Sequence, residues 1–163
     1  VIISTVEGTR PMLLELQALV APTNFGMARR TSTGVDFNRV ALLLAVLEKR
    51  IGLQIQNQDV YINVVGGIKI NEPSIDLGIV IAVASSFRNI PIASDVVVTG
   101  EVGLTGEIRA VSYIEKRIAE CKKLGFKKIV IPRNNYEAVK DVKGIEIIPV
   151  DNLRQAINIV LRG

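Results

Sequence analysis

Ser74 and the basic residues around position 117 are the side chains whose types and placement could carry covalent chemistry. Ser74 follows Pro73 at the start of an apolar segment, Ile75 to about Phe87, that reads as a helix. A serine there serves either as a helix N-cap, the plainer role, or as a nucleophile that needs a neighbouring base. The chain has no histidine, so a Ser-His-Asp triad is excluded. The base would then be a lysine on a later helix, which burial can strip of its proton. The segment from Tyr113 to Leu124 supplies basic residues on an amphipathic helix, with Ile114, Ile118 and Cys121 on one face. Arg117 falls on that same apolar face, whereas Lys116 points to the opposite side. A guanidinium keeps its proton at neutral pH and cannot act as a base. Burying it unpaired is costly, so Arg117 has a partner, lies at a surface groove, or packs against another subunit.

These two helices need a scaffold, and the rest of the chain reads as one. Val1 to Val6 and Met12 to Val20 read as a strand hairpin, the second strand placing Met12, Leu14, Leu16, Ala18 and Val20 on one face. Ala28 to Thr33 reads as a third strand. Asp36 is the expected N-cap of a helix to about Ile51, with Val40, Leu43, Leu44 and Leu47 inward and Gly52 as its stop. Asp59 to Val65 alternates again, and Gly66-Gly67 suggests a bulge or a close backbone approach. Asp95 to Thr99 is a buried strand, followed by a loop with Gly100, Gly103 and Gly106 and a short strand at Glu107 to Val111. Lys128 to Pro132 is a strand, Asn134 to Val139 a short helix, and Ile145 to Val150 a last strand. Asn152 caps a terminal helix with Leu153, Ala156, Ile157 and Val160 inward. Strands first, then alternating helix and strand, specify an α/β or α+β fold.

Composition removes several function classes. The 163 residues suffice for one domain with a real core, expected to span 1–163 as a piece of a larger protein. Aromatics make up only 4%, so that core is aliphatic. A lone cysteine and no histidine leave no intramolecular disulfide and no Cys- or His-based metal cage; no metal site is expected. There is no phosphate loop, and Gly100 to Gly106 lacks the spacing of a dinucleotide fingerprint. Glu101 and Glu107, which flank that loop, read as turn-solvating charge. No segment reads as a signal peptide or membrane span, and a reducing, cytoplasmic setting without membrane contact is expected.

The net charge of +4 permits an anionic partner. Arg29 and Arg30 are adjacent on a strand, so their side chains point to opposite faces and at most one can face the core. With short hydroxyl neighbours at Thr31, Ser32 and Thr33, the pair is the first candidate for contacts to a phosphate backbone. Lys69, beyond Gly66-Gly67, is the next.

The segment from Val60 to Pro132 resembles the proteolytic domain of the Lon proteases through NVVGG, EPS, TGEVGLTGEIR and IEKR. In that family the nucleophilic serine follows a proline, as Ser74 does. The family's catalytic lysine position, counted without gaps, falls on Arg117. Ile75 and Asp76 stand where small residues are expected. A closer resemblance, over essentially the whole chain, is to the C-terminal Lon-like domain of the bacterial RadA (Sms) DNA repair ATPases. It rests on EGTRP, LLELQALV, FGMARRTSTGVDFNR, AVLEKRIGL, QNQDVYINVVGG, EPSIDLGI and ASSFR. The resemblance implies a ribosomal protein S5 domain 2-like, Lon proteolytic-domain-like fold and a vestigial dyad, Ser74 and Arg117. It implies a homo-oligomeric, hexameric ring that binds DNA and promotes branch migration in recombinational repair. ATP, magnesium and zinc belong to the implied parent, with no cofactor in this domain. The competing readings are an active Ser-Lys peptidase and a protein-interaction module without DNA binding.

Overall fold

The computed structural model describes residues 1–161. Strands β1 (Ile2–Glu7) and β2 (Arg10–Pro22) form an antiparallel hairpin, in register from Ile2↔Glu15 to Glu7↔Arg10. Strand β3 (Arg30–Thr33) is the edge strand, parallel to β4 (Gln58–Val64), and β4 runs antiparallel to β2. On the other side of β1 lie β5 (Val96–Val98), β8 (Lys128–Pro132) and β9 (Glu146–Val150), all parallel. The resulting seven-stranded order is β3-β4-β2-β1-β5-β8-β9. Strands β6 (Glu101–Val102) and β7 (Ile108–Arg109) make a separate two-stranded hairpin across the glycine loop.

Strand alternation divides the apolar side chains between two layers. Ile3, Leu16, Val60, Ile62, Val64, Val98 and Val130 point to one face and join the larger core with helices α1 (Phe37–Val46), α2 (Asp76–Arg88) and α4 (Leu153–Val160). Ile2, Leu13, Val97 and Ile129 point to the other, where α3 (Ile114–Lys123) packs Ile114, Ile118 and Cys121 onto them. Burial pushes the Cys121 thiol up to about 12, so it is inert as a nucleophile at neutral pH. Helix α2 is buried from Asp76 to Ala84, as a helix apolar nearly all round must be.

Several local expectations shift. The helix from Asp36 is regular only to Val46; its last turn widens, with the Gly52 N–H bonding Leu47 O at 3.1 Å. Asp36 sits at the N-cap but makes no side-chain cap bond. The strand expected at Glu107 to Val111 shrinks to Ile108–Arg109, because only those residues find a partner in β6. Asn134 to Val139 is a 3₁₀ turn, Arg133–Ala138. Gly66 and Gly67 turn with φ of 92° and 70°, and the space around them is open, so left-handed backbone rather than close approach explains them. Asn152 does cap α4: its Oδ1 accepts from the Gln155 N–H at 2.9 Å.

Close approach occurs instead at Gly78 in α2. A Cβ there would sit 2.2 Å from Ile3 Cγ2, so the helix rests directly on β1. Gly78→Ala gains about 1 kcal/mol of helix propensity but forces β1 and α2 apart, an overpacking cost of about 1–3 kcal/mol. The expected outcome is a net loss of stability, read as a lower midpoint in urea unfolding.

Candidate functional site

Ser74 lies in a 3₁₀ turn, Pro73–Ile75, that feeds α2, and its side chain caps nothing. It is only 2% exposed and points into the protein. Its hydroxyl lies 3.2 Å from the Ser4 carbonyl and hydrogen-bonds Glu72 Oε1. Arg117 is fully buried. Its Nε donates to Ser112 O at 2.8 Å, and Nη1 donates to Ser4 O at 3.0 Å and to Ser74 Oγ at 3.2 Å. Nη2 forms an ion pair with Glu72 Oε1. The second Glu72 oxygen accepts from the Val6 N–H at 2.9 Å. The two residues singled out by spacing therefore meet, and of the three fates open to Arg117 it takes the partnered one.

Glu72 is the residue that sequence reasoning missed. Its place two positions ahead of Ser74 was the available signal, yet nothing local distinguishes it from the other acidic residues of the chain. The arrangement has a definite chemical character. Arg117 only donates, Glu72 takes both Arg117 and the serine, and among the described residues no amine hydrogen-bonds Oγ. Lys116, on the other side of α3, is exposed; its Nζ donates to Thr9 O at 3.1 Å and lies 5.3 Å from the Tyr113 ring centroid. Tyr113 enters α3 with φ of 55°, an unfavourable left-handed backbone that the Arg117 bond to Ser112 O helps to hold.

A second ion pair lies close by in sequence. Asp76 is completely buried in the first turn of α2. Arg39 from α1 grips it with both Nε (2.9 Å) and Nη2, and the Val102 N–H of β6 donates to it at 3.0 Å. The hydrogen bond to Asp76 holds the Arg39 guanidinium proton more firmly than usual. Asp76, read from sequence only as a departure from a small residue, thus ties α1, α2 and β6 together. Glu107 remains local: it accepts from the Thr105 hydroxyl at 2.8 Å and from the Thr105 N–H at 3.2 Å, and the hydroxyl bond chiefly holds its carboxyl below the usual range.

The DNA candidates separate. Arg29 is exposed just ahead of β3. Arg30 folds back, with Nη1 donating to Gln58 O, Nη2 to Ile55 O at 3.0 Å, and the Glu48 carboxylate 3.9 Å away. Two of its N–H groups are taken by backbone carbonyls, so within the pair Arg29 is the more exposed. Lys69 is exposed beside Gly34, which accepts from the Ile70 N–H at 2.8 Å. That is the opposite end of β3 from Arg29, and the fold does not bring the two together. Among the described residues no cluster of three or more Cys, Asp or Glu could hold a metal, and no helix is long and apolar enough to cross a membrane.

Removing one partner of a buried pair leaves the other uncompensated, a loss of about 3–5 kcal/mol. Arg117→Met is expected to destabilise on that scale, and Arg117→Lys also, because one ammonium cannot reach all four acceptors. Arg117→Met combined with Glu72→Gln should cost less than the sum of the two, with a coupling of about 1–3 kcal/mol. Urea unfolding followed by circular dichroism measures the wild type and all four variants; strict additivity would show that the pair contributes nothing.

The family model of the Lon protease (S16) C-terminal proteolytic domain matches residues 44–163. The DNA repair protein RadA of Bacillus subtilis is 55% identical over 162 residues, which is 99% of this chain and 35% of that protein. RadA of Halalkalibacterium halodurans is 52% identical over 98% of this chain and 35% of its own length, and RadA of Listeria monocytogenes 50% identical over 96% and 34%. The chain thus spans about a third of the length of the curated relatives it matches. With a mixed sheet, a serine in the turn ahead of the buried helix and a basic residue facing it from α3, the chain belongs to the Lon protease (S16) C-terminal proteolytic domain family.

Proposed function

We propose that this chain, residues 1–163, is a non-hydrolytic Lon-like domain of a RadA-type DNA repair ATPase. In this reading it is a scaffold that assembles a homo-oligomeric, hexameric ring and contacts DNA during recombinational repair and branch migration in the cytoplasm. The observation that carries it is the buried ion pair of Arg117 with Glu72 over Ser74. A Ser-Lys mechanism needs an amine that can give up its proton. Here a permanent cation fills that position, and the serine hydroxyl is spent on internal bonds. The same residues that would cut a peptide instead join β1, the Pro73 turn and α3, which suits a rigid scaffold. ATP, magnesium and zinc are assigned to the parent protein, and no step here runs through them.

Arg29 is the proposed phosphate contact, and Lys69 a separate, weaker one. Such contacts position DNA without reading its sequence. Arg30 is a further, weaker contact in this reading, since two of its N–H groups hold β3 against the Ile55–Gln58 segment.

Three outcomes are expected. A serine-directed fluorophosphonate leaves Ser74 unlabelled and peptides intact, in the wild type and in Arg117→Lys alike; labelling of Ser74 in the native wild type would refute the scaffold reading. Light scattering gives a particle of six copies of the 17.7 kDa chain. In a duplex titration at low salt, Arg29→Ala weakens binding and lowers the log–log salt slope by about 1, the loss of one phosphate contact. An unchanged slope would place the DNA contacts elsewhere.

A further inference from the structure

The last pair in register between β1 and β5 is Ile3 with Val98. Beyond it β5 leaves its neighbour. The Thr99 N–H donates to Val130 O at 3.0 Å, on the β8 side, and the Gly100 N–H donates to Ser74 O at 2.9 Å. The Ser4 carbonyl accepts instead from Arg117 Nη1 at 3.0 Å and from the Ser74 hydroxyl at 3.2 Å. The Arg117 junction therefore sits over a split between two central strands.

Ser4 and Thr99 are the next residues along that register. Strand alternation puts both side chains on the α3 side, with Ile2 and Val97. Both residues are fully buried. Among the described residues, the Ser4 and Thr99 hydroxyls are the two buried side-chain groups that find no hydrogen-bond partner. A buried hydroxyl left unpaired is strongly unfavourable. Two such groups, side by side on strands that are parting, point to one partner held between them.

We propose that an internal water molecule occupies this split and bridges the Ser4 and Thr99 hydroxyls beneath Arg117. A hydroxyl both donates and accepts, and water answers both needs; two or more polar partners suffice to hold it. The guanidinium on the Ser4 carbonyl repels a cation. Its ion pair with Glu72 leaves no uncompensated charge to draw an anion. The rest of the layer, with Ile2, Val97, Ile114, Ile118 and Ile131, is apolar and supplies no competing side-chain partner. The bound water carries the junction one strand further. Arg117 and Ser4 join α3 to β1, and Ser4, water and Thr99 join β1 to β5. This site depends on neither the DNA-binding nor the non-hydrolytic reading above.

The tests are a high-resolution crystal structure and urea unfolding of the 163-residue chain. Density for one water within hydrogen-bond distance of both hydroxyls is expected. A direct Ser4–Thr99 bond, or hydroxyls turned onto protein carbonyls with no water between them, would overturn the proposal. Thr99→Val keeps the side-chain shape, and Ser4→Ala removes the opposite hydroxyl. Each strands the remaining hydroxyl and the water, and should raise the unfolding equilibrium constant roughly tenfold. The double variant expels the water, so its effect should fall short of the product of the two. Were the hydroxyls truly unpaired, each substitution would relieve a buried polar group and raise the urea midpoint; that result, or strict additivity, refutes the bridge. A wild-type midpoint that depends specifically on chloride or sodium, and loses that dependence in the double variant, would assign an ion and overturn the water. If a variant fails to fold, the density in the wild type decides alone.

Discussion

A guanidinium taken wholly out of water must find an acceptor for its N–H groups, and Arg117 finds them on separate stretches of chain. Ser4 lies on β1, Glu72 and Ser74 frame the entry to α2, and Ser112 precedes α3. Each acceptor is worth little unless the others are also in place, because a partly satisfied buried charge is strongly unfavourable. The ion pair thereby fixes three elements that the backbone alone would leave free to slide. Glu72 extends the constraint to Val6 on β1, so strand, turn and helix share one junction.

The entry to α2 is held from a second direction. Ser74 and Asp76 are two residues apart, and each joins a different charged group, Arg117 from α3 and Arg39 from α1. Asp76 also gains from the N-terminal end of the α2 dipole. Gly78, one turn further on, lets the helix settle against Ile3. A segment held this way has little freedom to swing its serine toward solvent. The buried serine is thus part of a structural junction between β1, α2 and α3.

The sheet is asymmetric in a way that follows from its helices. Three helices cover one face, while α3 alone serves the other. A helix of ten residues spans about 15 Å, too short to shade seven strands about 4.8 Å apart. The uncovered end carries polar and hydroxyl side chains around one tyrosine, which is how an exposed sheet face keeps its backbone bonds without a lid.

Much of this was legible in one dimension, because helix and strand periods are local properties. The 3.6-residue period put Arg117, and not Lys116, on the buried face of α3, and strand alternation separated Arg29 from Arg30. The continuous apolar run of α2 announced a central helix, and Asn152 announced the cap of α4. What tertiary structure alone decided were the partners. Glu72 for Arg117, Arg39 for Asp76 and the Gln58 and Ile55 carbonyls for Arg30 depend on how distant segments pack together. Lys69 and Arg29 part company because β3 and β4 run parallel, which places their flanking residues at opposite ends. Local sequence sets which way a side chain faces; which group it meets there is settled by contacts between residues far apart in the chain, and no local pattern encodes those.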